Sequence, residues 1–133
     1  MSTLKVNNIQ NTSGGSSSTP EQIEQGRAKA WLNFNGTGTA AINDDFNISS
    51  ITDNGTGDFT INFSNALSNA NYAVVACNGR KIHGSSTNAF IIIVAEENTA
   101  KTTGLFRIIS LGTNSYLNVV DPNSANIAVF GDQ

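Results

Sequence analysis

The stretch Phe46–Phe63, FNISSITDNGTGDFTINF, decides how this chain is read. In Asp58–Phe63, the apolar residues Phe59, Ile61 and Phe63 alternate with Asp58, Thr60 and Asn62. Strict alternation is the mark of a strand with one dry face and one wet face. Just before it lies Asp53-Asn54-Gly55-Thr56-Gly57, whose Asn-Gly pair favours a tight turn. Phe46, Ile48 and Ile51 supply apolar positions for a partner strand, so residues 46–63 read as a β-hairpin. Upstream, Ala30–Asn35 puts Ala30, Leu32 and Phe34 on one face and Trp31 on the other. Downstream, Tyr72–Cys77, Ala89–Ala95, Leu105–Leu111, Tyr116–Val120 and Ile127–Phe130 read as further strands. Clusters of Gly, Asn, Ser and Pro separate them, notably Gly36–Gly38, Asn78-Gly79 and Pro122–Asn126. Many short strands at this spacing predict an all-β protein, an antiparallel β-sandwich of jelly-roll-like form.

Composition supports this. Asn, Ser and Thr make up 46 of the 133 residues, and charged residues only 13%, against about a quarter in ordinary globular domains. A coiled coil or helical bundle needs Ala, Glu, Lys and Leu in quantity and is excluded. The net charge of −3 offers no basic patch, which argues against a nucleic-acid partner. The surface stays in solution through amides and hydroxyls rather than charge, which suits high salt, where exposed ion pairs are screened. The longest apolar run, Ala89–Ala95, is too short for a membrane-spanning helix, so no membrane insertion is expected. Residues 1–10 show no secretory pattern, and the single Cys77 allows no intrachain disulfide. Both point to synthesis in a reducing cytoplasm.

Three parts follow along the chain. Residues 1–18 read as an extended arm carrying Leu4, Val6 and Ile9, with a Gly/Ser linker at Asn11–Ser18. Residues 19–28 hold the one helix signal: Thr19 as N-cap, Pro20 at the first position and Gln22 completing a capping box. Residues 29–133 form the β-sandwich head domain. Two features of the head stay open at this level. Phe90–Val94 (FIIIV) is apolar on both faces, and Trp31 stands opposite the apolar face of its strand. Either these are covered within one subunit or they meet another subunit.

Chemistry-bearing motifs are sparse. His83 is the lone histidine, and no local motif pairs it with a nucleophile. Cys77 lies in an alternating strand and reads as a buried structural thiol. One Cys and one His make a zinc site unexpected, and the carboxylates Asp44, Asp45, Asp53, Asp58 and Asp121 lack calcium-loop spacing. Gly36-Thr37-Gly38 and Gly55-Thr56-Gly57 have no phosphate-loop spacing. No catalytic residue, metal or cofactor is expected. The densest basic charge is Arg80, Lys81 and His83, in a loop suited to contact a sugar, a lipid headgroup or an acidic neighbour, or simply to be solvated.

Three segments carry a resemblance: TLKVNNIQNTSG (Thr3–Gly14), TPEQIEQGRAKAWLNFNGTGT (Thr19–Thr39) and FNISSITDNGTGDFTINFSNALSNANYAVV (Phe46–Val75). Together they resemble tail-fibre-like small virion proteins of tailed bacteriophages, especially the marine, cyanophage type. The resemblance ends at Val75. It implies a non-enzymatic virion component, made in the host cytoplasm, with a β-rich head and homotrimeric assembly. It implies an anchor to other phage virion proteins at Leu4–Ser13, carried by Leu4, Val6 and Ile9, and an outward head that contacts a host surface glycan or receptor. Arg80, Lys81 and His83 are then the candidate receptor-contact loop. No shaft repeats separate arm from head, so a short fibre or knob is expected rather than a long fibre. The same features suit a capsid decoration (cement) protein or a lectin-like receptor-binding module; an enzyme, such as a depolymerase, is the least supported reading.

Overall fold

A computed structural model describes residues 2–79, 90–94, 101–114 and 116–132. It shows an antiparallel β-sandwich preceded by a small N-terminal unit. One sheet contains β3 (Ala30–Asn35), β4 (Ala41–Phe46), β7 (Ala73–Gly79) and β11 (Ser124–Phe130) in the order β4-β3-β11-β7. The other contains β5 (Ile48–Gly55), β6 (Asp58–Phe63), β8 (Phe90–Val94), β9 (Leu105–Asn114) and β10 (Tyr116–Val119). There β6 lies between β5 and β9. Strand β9 also pairs with β8 through Ile108–Gly112, and with β10 through Leu111–Asn114. The chain therefore crosses between sheets several times, and each sheet combines sequence-adjacent pairs with strands distant in sequence. The all-β sandwich expected from the sequence is the observed fold.

The alternation that predicted β6 is also what fills the core. Phe59 and Ile61 are fully buried, while Asp58, Thr60 and Asn62 face outward. From the opposite sheet, Ala30, Leu32 and Phe34 of β3 and Ala125, Ile127 and Val129 of β11 meet them. Phe34 packs edge-on against Phe59 at 5.2 Å between ring centres. Phe63, Tyr72 and Phe106 form a second aromatic group near one end of the sandwich. The buried Tyr72 hydroxyl lies 2.9 and 2.8 Å from the carbonyls of Thr102 and Leu105, so its donor is satisfied. Burial pushes its phenol above the ordinary value.

The hairpin differs from the sequence expectation in two ways. It spans β5 and β6, residues 48–63; Phe46 ends β4 in the other sheet. The break falls at Asn47, which adopts a left-handed backbone with φ 58°. Asn tolerates that region better than most residues. Its side-chain oxygen accepts from the Asn65 amide at 2.8 Å, and its amide group donates to the carbonyls of Lys29 and Asn65 at 3.1 Å each. This one side chain fixes the corner where the chain changes sheets. Strand β4, AINDDF, has no apolar alternation because it is an exposed edge strand. Acidic residues on such an edge oppose stray strand pairing.

The turn itself is Thr56-Gly57, two residues beyond the Asn-Gly pair, because a bulge displaces Asn54 and Gly55 pairs with Asp58. Gly57 has φ 69°, and a Cβ there would stand 2.7 Å from the Val120 nitrogen and 2.8 Å from the Ser110 carbonyl. The Gly57 amide donates to Asp121 at 2.7 Å, tying the turn to the strand end after β10.

Residues 9–18 also depart from expectation. β1 (Ile9–Gln10) pairs with β2 (Ser17–Ser18), so the Gly/Ser stretch is a hairpin turn rather than a linker. Asn11 closes it, accepting from the Gly15 amide at 2.9 Å. The helix α1 (Pro20–Gly26) carries the anticipated capping box: Thr19 accepts from the Gln22 amide at 3.2 Å, and Gln22 accepts from the Thr19 amide at 2.9 Å.

Candidate functional site

The helix buries none of its own residues. It is held by Lys29, whose side chain is 1% exposed beneath it. The Lys29 ammonium donates to the Glu24 carbonyl at 2.7 Å and pairs with the Glu24 carboxylate. That hydrogen bond, with the nearby Arg27 charge, holds Glu24 below the usual carboxylate range. The Lys29 backbone amide donates to Val129 at 2.7 Å, so one residue joins helix and head.

The three arm residues singled out from the sequence come together with the helix. Leu4, Val6, Ile9 and Ile23 are all exposed large apolar residues. They line an open cleft of about 550 Å³, bordered by Lys5 and Arg27. The arm folds back on α1 without covering these side chains. The loop residues Arg80, Lys81 and His83 lie outside the described residues.

Cys77 is exposed, contrary to the buried thiol expected. The alternation was real but its phase was opposite: in β7, Val74, Ala76 and Asn78 turn inward, while Ala73, Val75 and Cys77 turn out. The inward side chain Asn78 donates to Ser110 across the sheets at 3.0 Å.

Cys77 thereby joins an outward face of the β4-β3-β11-β7 sheet. Register places Phe46 opposite Trp31, Trp31 opposite Ala128, and Ala128 opposite Val75. One apolar row thus crosses all four strands. Phe46 is 47% exposed, Trp31 38% and Val75 61%. The adjoining row is made of amides: Asn43 donates to Asn33 at 2.8 Å, and Asn33 donates to Asn126 at 2.6 Å. Cys77 stands opposite Asn126 in that row. A shallow apolar depression of about 220 Å³ lies among Val75, Cys77, Asn126 and Ala128. Sequence reasoning flagged Trp31 but missed the row, because cross-strand register between β3, β7 and β11 is not written in any local motif.

The other sheet looks different over β5, β6 and Arg107. Asn62 donates to Ser50 at 3.1 Å, and Asn54 donates to Thr60 at 2.9 Å. Arg107 donates to Asp58 at 2.7 Å, and the ion pair holds Asp58 below its usual value. These outward groups are paired among themselves and suited to water.

Among the described residues, no group of three or more His, Cys, Asp or Glu side chains is placed to hold a metal ion. Within them no helix is long and apolar enough to cross a membrane. No family model, curated protein or solved structure matches this chain. The described residues define a two-sheet antiparallel sandwich with an N-terminal hairpin-and-helix unit, and among them the arm cleft and the outer face of one sheet are uncovered apolar surfaces.

Proposed function

We propose that this protein is a non-enzymatic structural component of a tailed-phage virion, a short tail-fibre-like or knob-like homotrimeric appendage. Its arm docks on another virion protein, and its head faces outward with a role in host attachment. The observation that carries this reading is the arm. Leu4, Val6, Ile9 and Ile23 remain exposed on the chain's own fold. Exposed apolar clusters of this kind mark surfaces that bury elsewhere. The same arm holds the VNNIQNTSG segment (Val6–Gly14) that resembles phage virion proteins.

Immunogold labelling of purified phage particles with an antibody to the head tests the reading. Signal at the tail supports it, and signal over the capsid replaces the appendage with a capsid decoration protein. Particles that carry none of the chain refute both. A variant with Leu4, Val6 and Ile9 changed to Ser should fold normally and fail to incorporate.

A further inference from the structure

We infer that the outer face of the β4-β3-β11-β7 sheet is a self-association surface, covered in solution by a second copy of this chain. The inference rests on the self-association in the reading above, not on the virion assignment, and the two fail separately.

Three observations carry it. First, the face is apolar where a solvent face should be polar. The row Phe46, Trp31, Ala128 and Val75 crosses the whole sheet and leaves its large members 38–61% exposed. Over β5 and β6 of the same molecule, outward positions carry Ser, Thr, Asn and Asp bonded to one another. The chain thus makes a wet sheet face in one place and an apolar one in another.

Second, charge selects the partner. The chain carries −3 overall, so two copies meet without repulsion only through a surface of little charge. On this face, among the described residues, Asp44 at the edge strand is the one charged side chain at an outward register position. A partner of opposite charge would find only Asp44, at the edge, to pair with.

Third, the polar part of the face, Asp44 apart, needs no charged partner. The row Asn43, Asn33 and Asn126 consists of amides, and each amide carries both donor and acceptor. A carboxylate or guanidinium row would require its opposite. An amide row can bond to the uncharged polar groups of a neighbouring copy, whichever of its faces is presented.

The face carries its own reporters. Trp31 is the only tryptophan of the chain and Cys77 the only cysteine, and both lie on it. The experiment uses the full-length protein at micromolar concentration. Light scattering gives the mass, Trp31 emission gives its burial, and reaction with a soluble disulfide reagent gives the access to Cys77. The expected result is a mass that is a multiple of the 14.0 kDa chain, blue-shifted Trp31 emission and slow thiol reaction. Dilution should shift all three together toward the monomer. Val75→Lys and Phe46→Lys, one at each edge strand, should each give a folded monomer with red-shifted emission and a fast thiol; Thr52→Lys on the other sheet should change nothing. A wild-type monomer overturns the proposal. So does a wild-type assembly in which Trp31 stays solvated and Cys77 reacts fast, because the copies then meet elsewhere. These wild-type readings decide the matter even if a lysine variant does not fold.

Discussion

Replacing Ile61 by Asn tests the register on which the whole sandwich rests. Ile61 is fully buried in β6 and lies opposite Ile51 on one side and Phe106 on the other. Removing its apolar side chain from a packed core costs about 2–5 kcal/mol, depending on how far the site collapses. The new amide finds no partner among Phe, Ile and Leu, adding about 1–3 kcal/mol. Part of the Asn volume refills the cavity, so a net loss near 4 kcal/mol is expected, a large share of the roughly 5–15 kcal/mol that holds a domain together. In urea, with a slope of about 2 kcal/mol per molar, the midpoint should fall by about 2 M. The comparison is Thr60→Asn, one residue away on the outward side. Thr60 faces water and accepts from Asn54, so this change should stay within about 0.5 kcal/mol. Far-UV circular dichroism reads both midpoints at one fixed protein concentration, so that any concentration dependence of stability is the same for the two variants. Equal losses for the two variants, or a silent Ile61→Asn, would refute the register.

Other consequences are as direct. Asn47→Ala should destabilise by about 2–4 kcal/mol in thermal or urea unfolding, because Ala pays about 1–2 kcal/mol at φ 58° and loses the corner hydrogen bonds; Asn47→Gly keeps the backbone at ease and should cost distinctly less. Asp58 titrates below its usual 3.8 in the folded state because Arg107 bonds it. A depressed carboxylate contributes stability that is present above the unfolded value and lost as pH falls through the folded value. The acid limb of a stability–pH curve should therefore steepen below about pH 4, and Asp58→Asn should flatten that part of it. Lys29→Met should leave the head's unfolding midpoint little changed but free α1, seen as faster hydrogen exchange and proteolysis across residues 19–28.

How much of this was legible in the sequence depends on whether the signal was local. β6 was legible because Phe59, Ile61 and Phe63 alternate within six residues, and the helix because Thr19, Pro20 and Gln22 sit at the N-cap, first and third positions of one turn. β4 was not, because an exposed edge strand needs no buried alternation and AINDDF shows none. The sheet change at Asn47 was hidden because Phe46 and Ile48 share the i, i+2 spacing of a single strand. Only the left-handed residue between them sends the two side chains to different sheets, and an Asn in a chain this rich in Asn does not advertise it. The hairpin turn lies two residues beyond the Asn-Gly pair for a tertiary reason: the close approach of Val120 and Ser110 at Gly57 determines where the backbone can bend.

The candidate site was less legible than the fold, and Cys77 shows why. Tyr72–Cys77 has apolar residues at nearly every position, so its alternation has no sequence-visible phase. Pairing with β11 sets the phase, Ala128 opposite Val75 and Asn126 opposite Cys77, and thereby turns Cys77 out. The same pairing aligns Trp31 with Ala128 and so builds the apolar row from residues 31, 46, 75 and 128. A strand with apolar side chains on both faces gains little from either orientation in an isolated subunit. If both faces are covered, the penalty for exposing the second face disappears, and an Asn-rich, weakly charged sheet can hold one register without salt bridges. Pairing with β11, rather than the apolar pattern of β7 itself, therefore specifies the phase. Val75→Lys accordingly bears on the fold as well as on assembly, favouring the observed phase in the monomer because the lysine can reach water only from the outer face.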